Sequence, residues 1–163
     1  CLSRRKQIGL VIVGDGPERK ALETKALQLG LAGVVFTGSV PHTEVPSWYS
    51  IMDLVVYPRI RAVINERVTP LKPLEVMALG KVCLGSNVGG LIELIHDGQT
   101  GVIFRSEDSA HLADVVMALM DDPHRIQHLG KAALEFVRKE REWSTVVERY
   151  CELYNRSIQQ KRG

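Results

Sequence analysis

Apolar and polar positions follow one another along the chain in a pattern that predicts short strands and helices in turn. The run IGLVIV, residues 8–13, is apolar throughout, which is typical of a strand buried on both faces of a parallel sheet. Shorter apolar runs follow at residues 33–36, 53–58, 81–86 and 101–104. These five runs predict five strands.

The segments between and after these runs carry helical patterns. We expect a short helix over residues 43–51, with Thr43 as its cap, and another over residues 73–79. From Ser106 onward the pattern predicts only helices, and Ser144 is the expected cap of the last one. Strands that alternate with helices predict an α/β fold, a doubly wound parallel sheet.

Two of the C-terminal helices show which face should be buried. In the helix that Asp122 and Pro123 open, the residues expected to face inward are Leu129, Ala133 and Phe136. In the last helix, one side carries Val147, Tyr150, Cys151 and Tyr154.

Composition narrows the possible partners and compartment. The 163 residues are enough for a single domain covering residues 1–163. A net charge of +2 and an aromatic content of 6% do not suggest a nucleic-acid partner, which needs a clustered basic face or stacking platforms. The 3 cysteines lack metal-site spacing, and Cys83 is expected to be a small buried residue. This use of cysteine favours a reducing compartment, so a cytoplasmic location is expected. No apolar run approaches the roughly 18 residues of a membrane span.

Ligands of open α/β sheets bind beyond the carboxyl ends of the strands. Four segments are predicted to lie there, namely GDGP at 14–17, TGSVP at 37–41, a charged segment at 57–72, and SNVGG at 86–90. Three of them carry glycines, which let the backbone approach a ligand closely. Together the four segments predict one cleft.

The GDGPER segment does not complete a dinucleotide fingerprint. Arg19 stands where the third glycine of G-x-G-x-x-G is required, and the acidic ribose partner further along is absent. Two interpretations remain for this segment. It is either a tight strand-to-helix turn with Pro17 near the first helical position, or a wall of a nucleotide cleft.

The charged segment has the strongest chemical signals in the chain. Its charged side chains, with that of the next helix, are Arg59, Arg61, Glu66, Arg67, Lys72 and Glu75. A helix that begins at Pro73 has no good side-chain cap before it, although Thr69 could reach back. Free amides and the helix dipole, with Lys72, predict a phosphate site, and Glu75 could bind hydroxyls. The alternative is that Glu75 complements the dipole and the arginines belong to a solvated loop.

Other familiar site patterns are missing from the sequence. The 5 histidines show no metal-ligand spacing, and neither a P-loop nor a G-x-S-x-G motif occurs. We therefore expect no metal.

The segments LVIVGDGPER, VVFTGSVPHTEVPSWYSIMDLVVYP and PLEVMALGKVCLGSNVGGLIELIHDGQTGVIF occur in an order that resembles the C-terminal half of GT-B glycosyltransferases of family 4. The resemblance covers about residues 8–154, and NERVTPLKPLE is further similar to a subgroup associated with bacterial exopolysaccharide or exosortase loci. It implies a Rossmann-like domain that binds a nucleotide-diphosphate sugar, with an N-terminal domain that chiefly binds the acceptor. It also implies retention of anomeric configuration, with no metal and no cofactor besides the donor.

The resemblance also implies roles for individual residues. Glu75 corresponds to the second glutamate of the family's E-x7-E motif, which bonds the ribose hydroxyls. The other implied donor contacts are Thr69, Pro70, Leu71 and Lys72 at the diphosphate, Thr37, Gly38 and Val40 beside the base, and Gly14 and Gly16 as the neighbouring wall.

The chain departs from the family pattern at the first glutamate. The position eight residues before Glu75 is Arg67, and Glu66 comes one residue earlier. A one-residue bulge could deliver Glu66 to the sugar, or Arg67 could bind phosphate while another group contacts the sugar. The family's GFGL is replaced by VTPL, which makes the phosphate loop stiffer and bulkier.

A second departure concerns the family's first strand–helix unit, which the chain lacks. That strand lies centrally in the usual strand order 3-2-1-4-5-6. Either the other strands close the gap or a second copy of the chain fills it by self-association. We therefore expect a piece of a two-domain enzyme, inactive in sugar transfer by itself, whose full-length form could touch the inner membrane face peripherally.

Three alternatives to the glycosyltransferase hypothesis remain at this point. A nucleotide-sugar sensor or assembly module of the same fold is favoured by Arg67 in place of a glutamate. An unrelated Rossmann oxidoreductase is disfavoured by the missing third glycine. A GT-B epimerase fits the order of motifs less well.

Overall fold

The computed structural model describes residues 8–160. The strands are β1 (Leu10–Val13), β2 (Val34–Gly38), β3 (Leu54–Tyr57), β4 (Val82–Ser86) and β5 (Val102–Phe104). The helices are α1 (Arg19–Gln28), α2 (Val45–Ser50), α3 (Val63–Arg67), α4 (Lys72–Ala78), α5 (Gly89–Ile92), α6 (Ser109–Met120), α7 (Pro123–Phe136) and α8 (Trp143–Gln160). A 3-10 turn, His42–Glu44, precedes α2, and a π-helical segment, Val137–Arg141, follows α7. All five predicted strands are present.

The strands form two parallel sheets. β1 pairs with β2, from Leu10 opposite Val34 onward, and the second sheet has the order β3-β4-β5. Helices connect the strands within each sheet, because parallel strands need a crossover connection and cannot be joined by a tight turn. The α/β fold with a parallel, doubly wound arrangement is therefore confirmed.

The two sheets are not joined through their strands. Among the described residues, β1 pairs only with β2, and β3 pairs only with β4. The expectation that these strands close up on each other is therefore not realised within residues 8–160. With β2, β1, β3, β4 and β5 as strands 3, 2, 4, 5 and 6 of the usual order, the unfilled position is the central one.

The hydrophobic core lies around β4, which is buried along its whole length. Alternate β4 residues face opposite sides of the sheet, since side chains alternate along a strand. Cys83 belongs to a cluster with residues of α4, α5 and α7, including Met77, Leu91 and Ala133. Val82 and Leu84 belong to the other cluster, with Leu119 and Leu129. Helices therefore cover both faces of this sheet.

The first sheet is much less buried than its sequence predicts. Leu10 of β1 is 40% exposed and Val35 of β2 is 52% exposed. Helix α1 contributes no buried residue to this side of the molecule. The prediction that the run at 8–13 is buried on both faces is wrong for this structure, because both core clusters are built on β3, β4 and β5.

Several helix ends differ from the sequence prediction. Thr43 lies inside the 3-10 turn and does not cap α2, and Ser144 lies inside α8 rather than before it. Helix α1 begins at Arg19, so Pro17 is two residues outside it. The carboxylates of Asp108 and Asp122 do cap α6 and α7, since each accepts a hydrogen bond from a first-turn backbone N–H.

The inward-facing residues predicted for α7 are confirmed. Leu129 and Ala133 are buried, and Phe136 packs partly buried against the cluster that contains Cys83.

Helix α8 differs, because its apolar side faces outward. The exposed fractions are 52% for Val147, 57% for Tyr150 and 67% for Tyr154.

None of the helices within residues 8–160 is both long enough and apolar enough to cross a membrane. Cys1 lies outside the described residues.

Candidate functional site

The charged segment begins where three strands end. The hydroxyl of Ser86, the last residue of β4, donates a hydrogen bond of 2.6 Å to the carbonyl oxygen of Arg59. The hydroxyl of Ser106, shortly after β5, donates to the same oxygen at 2.9 Å. These two bonds fix the chain that leaves β3 against the carboxyl ends of β4 and β5. This is the edge at which ligands of open α/β sheets bind.

Part of the charged segment forms helix α3, which was predicted as loop. The Arg59 guanidinium donates to the side-chain oxygen of Asn65 at 2.9 Å, and the Asn65 amide donates to the carbonyl oxygen of Ile60 at 2.8 Å. α3 has only 5 residues and no side-chain cap. Such a short, uncapped helix leaves no recognisable signal in the sequence, so tertiary contacts decide its formation.

Glu66 lies against the start of α5. Its Oε2 accepts a hydrogen bond of 2.8 Å from the backbone N–H of Gly89. Oε1 of Glu66 has no hydrogen-bond partner among the described residues. The neighbouring Arg67 is exposed, and within residues 8–160 its guanidinium forms neither an ion pair nor a hydrogen bond.

Helix α4 begins at Lys72 without a side-chain cap, as the sequence predicts. The residue before it is Leu71, which is 71% exposed, and Pro73 is the second helical residue. Thr69 does not reach back to cap α4, so that part of the prediction is wrong. Its hydroxyl instead donates to Oε2 of Glu93, at the end of α5. Lys72 is exposed and has no partner in the described part of the chain.

Glu75 lies in the first turn of α4, on the wall of an open groove of about 240 Å³. The opposite wall comes from the 3-10 turn and α2, and the other lining residues are His42, Val45, Pro46, Tyr49, Ala78 and Leu79. The structure therefore brings Glu75 next to the segment that directly follows the TGSVP loop. Within the described residues the Glu75 carboxylate has no ion pair and no hydrogen bond to a side chain.

Tyr57, the last residue of β3, is a polar group that the sequence analysis missed. Its hydroxyl is buried, and no hydrogen-bond partner lies among residues 8–160. Burial raises the pKa of Tyr57 well above its ordinary value, and the proximity of Tyr49, Cys83 and Glu75 adds to the shift. Tyr57 is therefore a neutral phenol near Glu75. Its position at the end of a buried strand is the one sequence signal that could have identified it.

The glycine segments form a separate corner of the molecule. The Gly14 N–H donates to the carbonyl oxygen of Gly38 at 3.0 Å, and φ is +126° at Gly14 and +72° at Gly38, conformations that favour glycine. A Cβ atom at Gly38 would lie 2.7 Å from Nη1 of Arg19. The positive φ therefore accounts for both glycines, since a Cβ atom at Gly14 would meet no other atom within 4 Å.

The other residues predicted for this corner lie close by. The Thr37 hydroxyl donates to the Gly38 carbonyl oxygen at 2.8 Å, and Val40 is partly buried. Gly16 has open space where a Cβ atom would be. Within the described part of the chain, no hydrogen bond joins this corner to the charged segment. Glu75 nevertheless faces this corner across the groove that His42 lines, one residue after the TGSVP loop.

No group of three or more His, Cys, Asp and Glu residues within 8–160 could hold a metal ion.

Comparison with known proteins shows the relationship of this chain. The family model of the glycosyl transferases group 1 matches residues 2–136. The chain is 31% identical to D-inositol 3-phosphate glycosyltransferase 2 of Catenulispora acidiphila, over 98% of this chain and 38% of that protein. It is 32% identical to a GDP-mannose-dependent alpha-(1-6)-phosphatidylinositol monomannoside mannosyltransferase of Mycolicibacterium smegmatis, over 88% of this chain and 38% of that protein.

The fold is also shared with solved structures. Anabaena HepE in complex with UDP superimposes with a TM-score of 0.82 and 22% sequence identity, over 93% of this chain and 42% of HepE. The chain thus spans about two fifths of the proteins it resembles. The match of its family model over most of its length shows that the chain belongs to the glycosyl transferases group 1 family.

Proposed function

We propose that this chain is the donor-binding domain of a retaining glycosyltransferase that uses a nucleotide-diphosphate sugar. One observation carries the proposal. Beside the carboxyl ends of the strands lie three exposed charged side chains, those of Glu75, Arg67 and Lys72. Within the described residues they form no ion pair and no side-chain hydrogen bond. Unpaired charges of both signs, held on a fixed frame, suit a ligand with hydroxyls and a diphosphate.

The proposed roles are those that the family resemblance implies, and the exposure of the charged side chains supports them. Glu75 bonds the ribose hydroxyls in the groove beside α2, because its carboxylate is exposed there. Lys72 and Arg67 face the diphosphate, together with the backbone of Thr69, Pro70 and Leu71. The base lies along Thr37, Gly38 and Val40, next to Gly14 and Gly16.

Glu66 is the proposed contact to the transferred sugar. Its Oε2 is bonded to the Gly89 N–H, which holds the carboxylate in place, and Oε1 is available to accept from a sugar hydroxyl. The alternative is that Arg67 binds phosphate while a group other than Glu66 contacts the sugar.

The proposed reaction moves a hexosyl group to a hydroxyl of the acceptor. The bond between the anomeric carbon and the diphosphate oxygen breaks, a bond to the acceptor oxygen forms, and the proton of the acceptor hydroxyl passes to the leaving diphosphate. Lys72 and Arg67 stabilise the negative charge that develops on the leaving diphosphate, an effect of several kcal/mol in comparable sites. No metal is required in this scheme, since the cations of the protein neutralise the leaving group. The acceptor is bound chiefly by a second, N-terminal domain.

Relatives support a nucleotide-sugar donor but differ in the nucleotide. The mannosyltransferase relative is GDP-mannose-dependent by name, whereas HepE is known in complex with UDP. We propose a role in exopolysaccharide synthesis, which the similarity of NERVTPLKPLE to that subgroup supports, and a location in the cytoplasm or at the inner membrane face.

A second candidate function is a non-catalytic module that binds a nucleotide sugar. The position of Arg67 favours it, because a cation stands where the family pattern has its first glutamate. In this case the donor would bind and no sugar would be transferred.

A thermal-shift screen of the full-length protein against UDP-, GDP- and ADP-sugars tests the proposal. A ligand at 100 times its dissociation constant adds about 2.7 kcal/mol of stability, so one nucleotide series should raise the melting temperature clearly. Transfer from the donor so identified to hydroxyl acceptors then separates the enzyme from the binding module. We expect transfer by the full-length protein and none by the 163-residue chain. Failure of every nucleotide sugar to shift the melting temperature would contradict both functions.

A further inference from the structure

We infer that Glu93 is a positioning residue, which acts on the donor-binding segment through Thr69 and does not touch the donor. The Thr69 hydroxyl donates to Oε2 of Glu93. Thr69 lies three residues before Lys72 and two after Arg67, the cations proposed to bind the diphosphate. The consequence for donor binding rests on the proposed function, whereas the contact itself does not.

The start of α5 holds the same segment by close backbone packing. A Cβ atom at Gly90 would lie 2.2 Å from the carbonyl oxygen of Val68, and one at Gly89 would lie 2.4 Å from the carbonyl oxygen of Glu66. Both clashes involve backbone atoms, so no side-chain rotation could relieve them. These two glycines therefore let the end of α3 rest directly on α5.

Three successive contacts follow one another along the segment. The Gly89 N–H bonds Glu66, Gly90 meets Val68, and Glu93 bonds Thr69 one helical turn later. On the other side, the segment continues through the buried Pro70 into α4, whose Val76 and Met77 are fully buried. Arg67 and Lys72 therefore extend from a stretch that is anchored at both ends.

Glu93 accepts the only hydrogen bond that the Thr69 side chain makes among the described residues. Without it, the stretch from Val68 to Leu71 keeps its backbone packing but loses its polar attachment to α5. We therefore expect looser placement of Lys72, and hence weaker donor binding, with the fold preserved. This assigns the Thr69 hydroxyl to Glu93 and leaves only the Thr69 backbone to face the diphosphate.

A double-mutant cycle in the full-length protein tests this assignment. Glu93→Ala and Thr69→Val should each raise the donor KM about three- to tenfold, the loss expected for one hydrogen bond, with a smaller effect on kcat. The double variant should be no weaker than either single variant, because both remove one contact. Glu93→Gln should retain most of the affinity, since its amide oxygen still accepts from Thr69. Glu135→Ala, an exposed glutamate on α7, is the matched control.

Hydrogen exchange of the ligand-free protein provides a second readout, which is independent of any activity. Amides of residues 66–72 should exchange faster in Glu93→Ala and in Gly90→Ala than in the wild type. Gly9→Ala is the glycine control, since its Cβ atom would meet only the Gly33 carbonyl oxygen, at 3.9 Å. If Gly90→Ala does not fold, the Glu93 and Thr69 variants still test the inference.

Two results would overturn the inference. One is an unchanged exchange rate of residues 66–72 in Glu93→Ala. The other is additive losses of donor affinity in the double variant, which would show that Thr69 contacts the donor by itself. If the wild type binds no nucleotide sugar, the proposed function fails, while faster exchange in Glu93→Ala still supports the contact.

Discussion

Cys83 and Cys151 show how strongly burial changes the chemistry of one residue type. Cys83 lies in the middle of β4 and is fully buried, and burial raises the pKa of its thiol to about 12. Cys151 lies on α8 and is exposed. Because the thiolate is the reactive form, Cys83 is inert at neutral pH.

We predict that a thiol reagent modifies Cys151 but not Cys83 in the native 163-residue chain. The experiment uses a Cys1→Ser background, so that two thiols remain, and the reagent is 5,5′-dithiobis(2-nitrobenzoic acid) at pH 8. One equivalent should react in buffer and two after unfolding in guanidinium. Rapid reaction of two equivalents in the native protein would show that β4 is not buried as described.

Site residues differ in how well the sequence predicts them. Glu75 could be proposed from the sequence, because its place in the first turn of a helix is visible in the chain and the family resemblance matches it to the second glutamate, and its role in donor binding stays a prediction. Glu93 and Tyr57 could not, since the first contacts a residue 24 positions away and the second is exceptional only through its burial. The prediction for the Thr69 hydroxyl was wrong for the same reason. The sequence shows that this hydroxyl could cap α4, but not that the distant carboxylate of Glu93 lies within its reach.

At the scale of elements, helix α6 depends on its first carboxylate. Asp108 accepts a hydrogen bond of 2.8 Å from the His111 N–H, and the Arg105 guanidinium donates to it at 2.8 Å. The His111 N–H first, and then Arg105, hold the pKa of Asp108 below its ordinary value. The charged carboxylate is therefore favoured in the native state over the unfolded state.

We predict that Asp108→Ala destabilises the protein at neutral pH and that this effect fades in acid. A lowered native pKa contributes stability above the unfolded pKa of about 3.9, and that contribution is lost as the pH falls through the native pKa. Urea unfolding of the 163-residue chain at pH 7 and at several acidic pH values measures the difference. Asp114→Ala, on the same helix, is the control and should track the wild type. An Asp108→Ala deficit that stays constant down to the lowest pH would contradict the account.

The strands were the most predictable elements, and the short helices were the least. Each continuous apolar run became a strand, because parallel strands covered by helices need apolar residues on both faces. α3 could not be predicted, since its five residues lack a cap and rely on Asn65 and on packing against α5. The burial of β1 was overestimated, because an apolar run shows what a strand could bury and not which elements cover it.

At the scale of the whole molecule, two features leave surface without a partner within residues 8–160. The edges of β1 and β3 stay unpaired with each other, and the apolar side of α8 is exposed. The alternation of strands and helices predicted the doubly wound fold, whereas the family resemblance left open whether the strands close up on each other. Self-association of the 163-residue chain stays a prediction.

The central claim is that this domain binds the nucleotide diphosphate of a donor through the first turn of α4. Isothermal titration calorimetry of the full-length protein with the diphosphate chosen by the thermal-shift screen tests it most directly. A charge-assisted hydrogen bond contributes about 1.5–3 kcal/mol, so Glu75→Ala should weaken binding about tenfold or more. Glu135→Ala should bind like the wild type. Equal affinity of Glu75→Ala and the wild type would contradict the account.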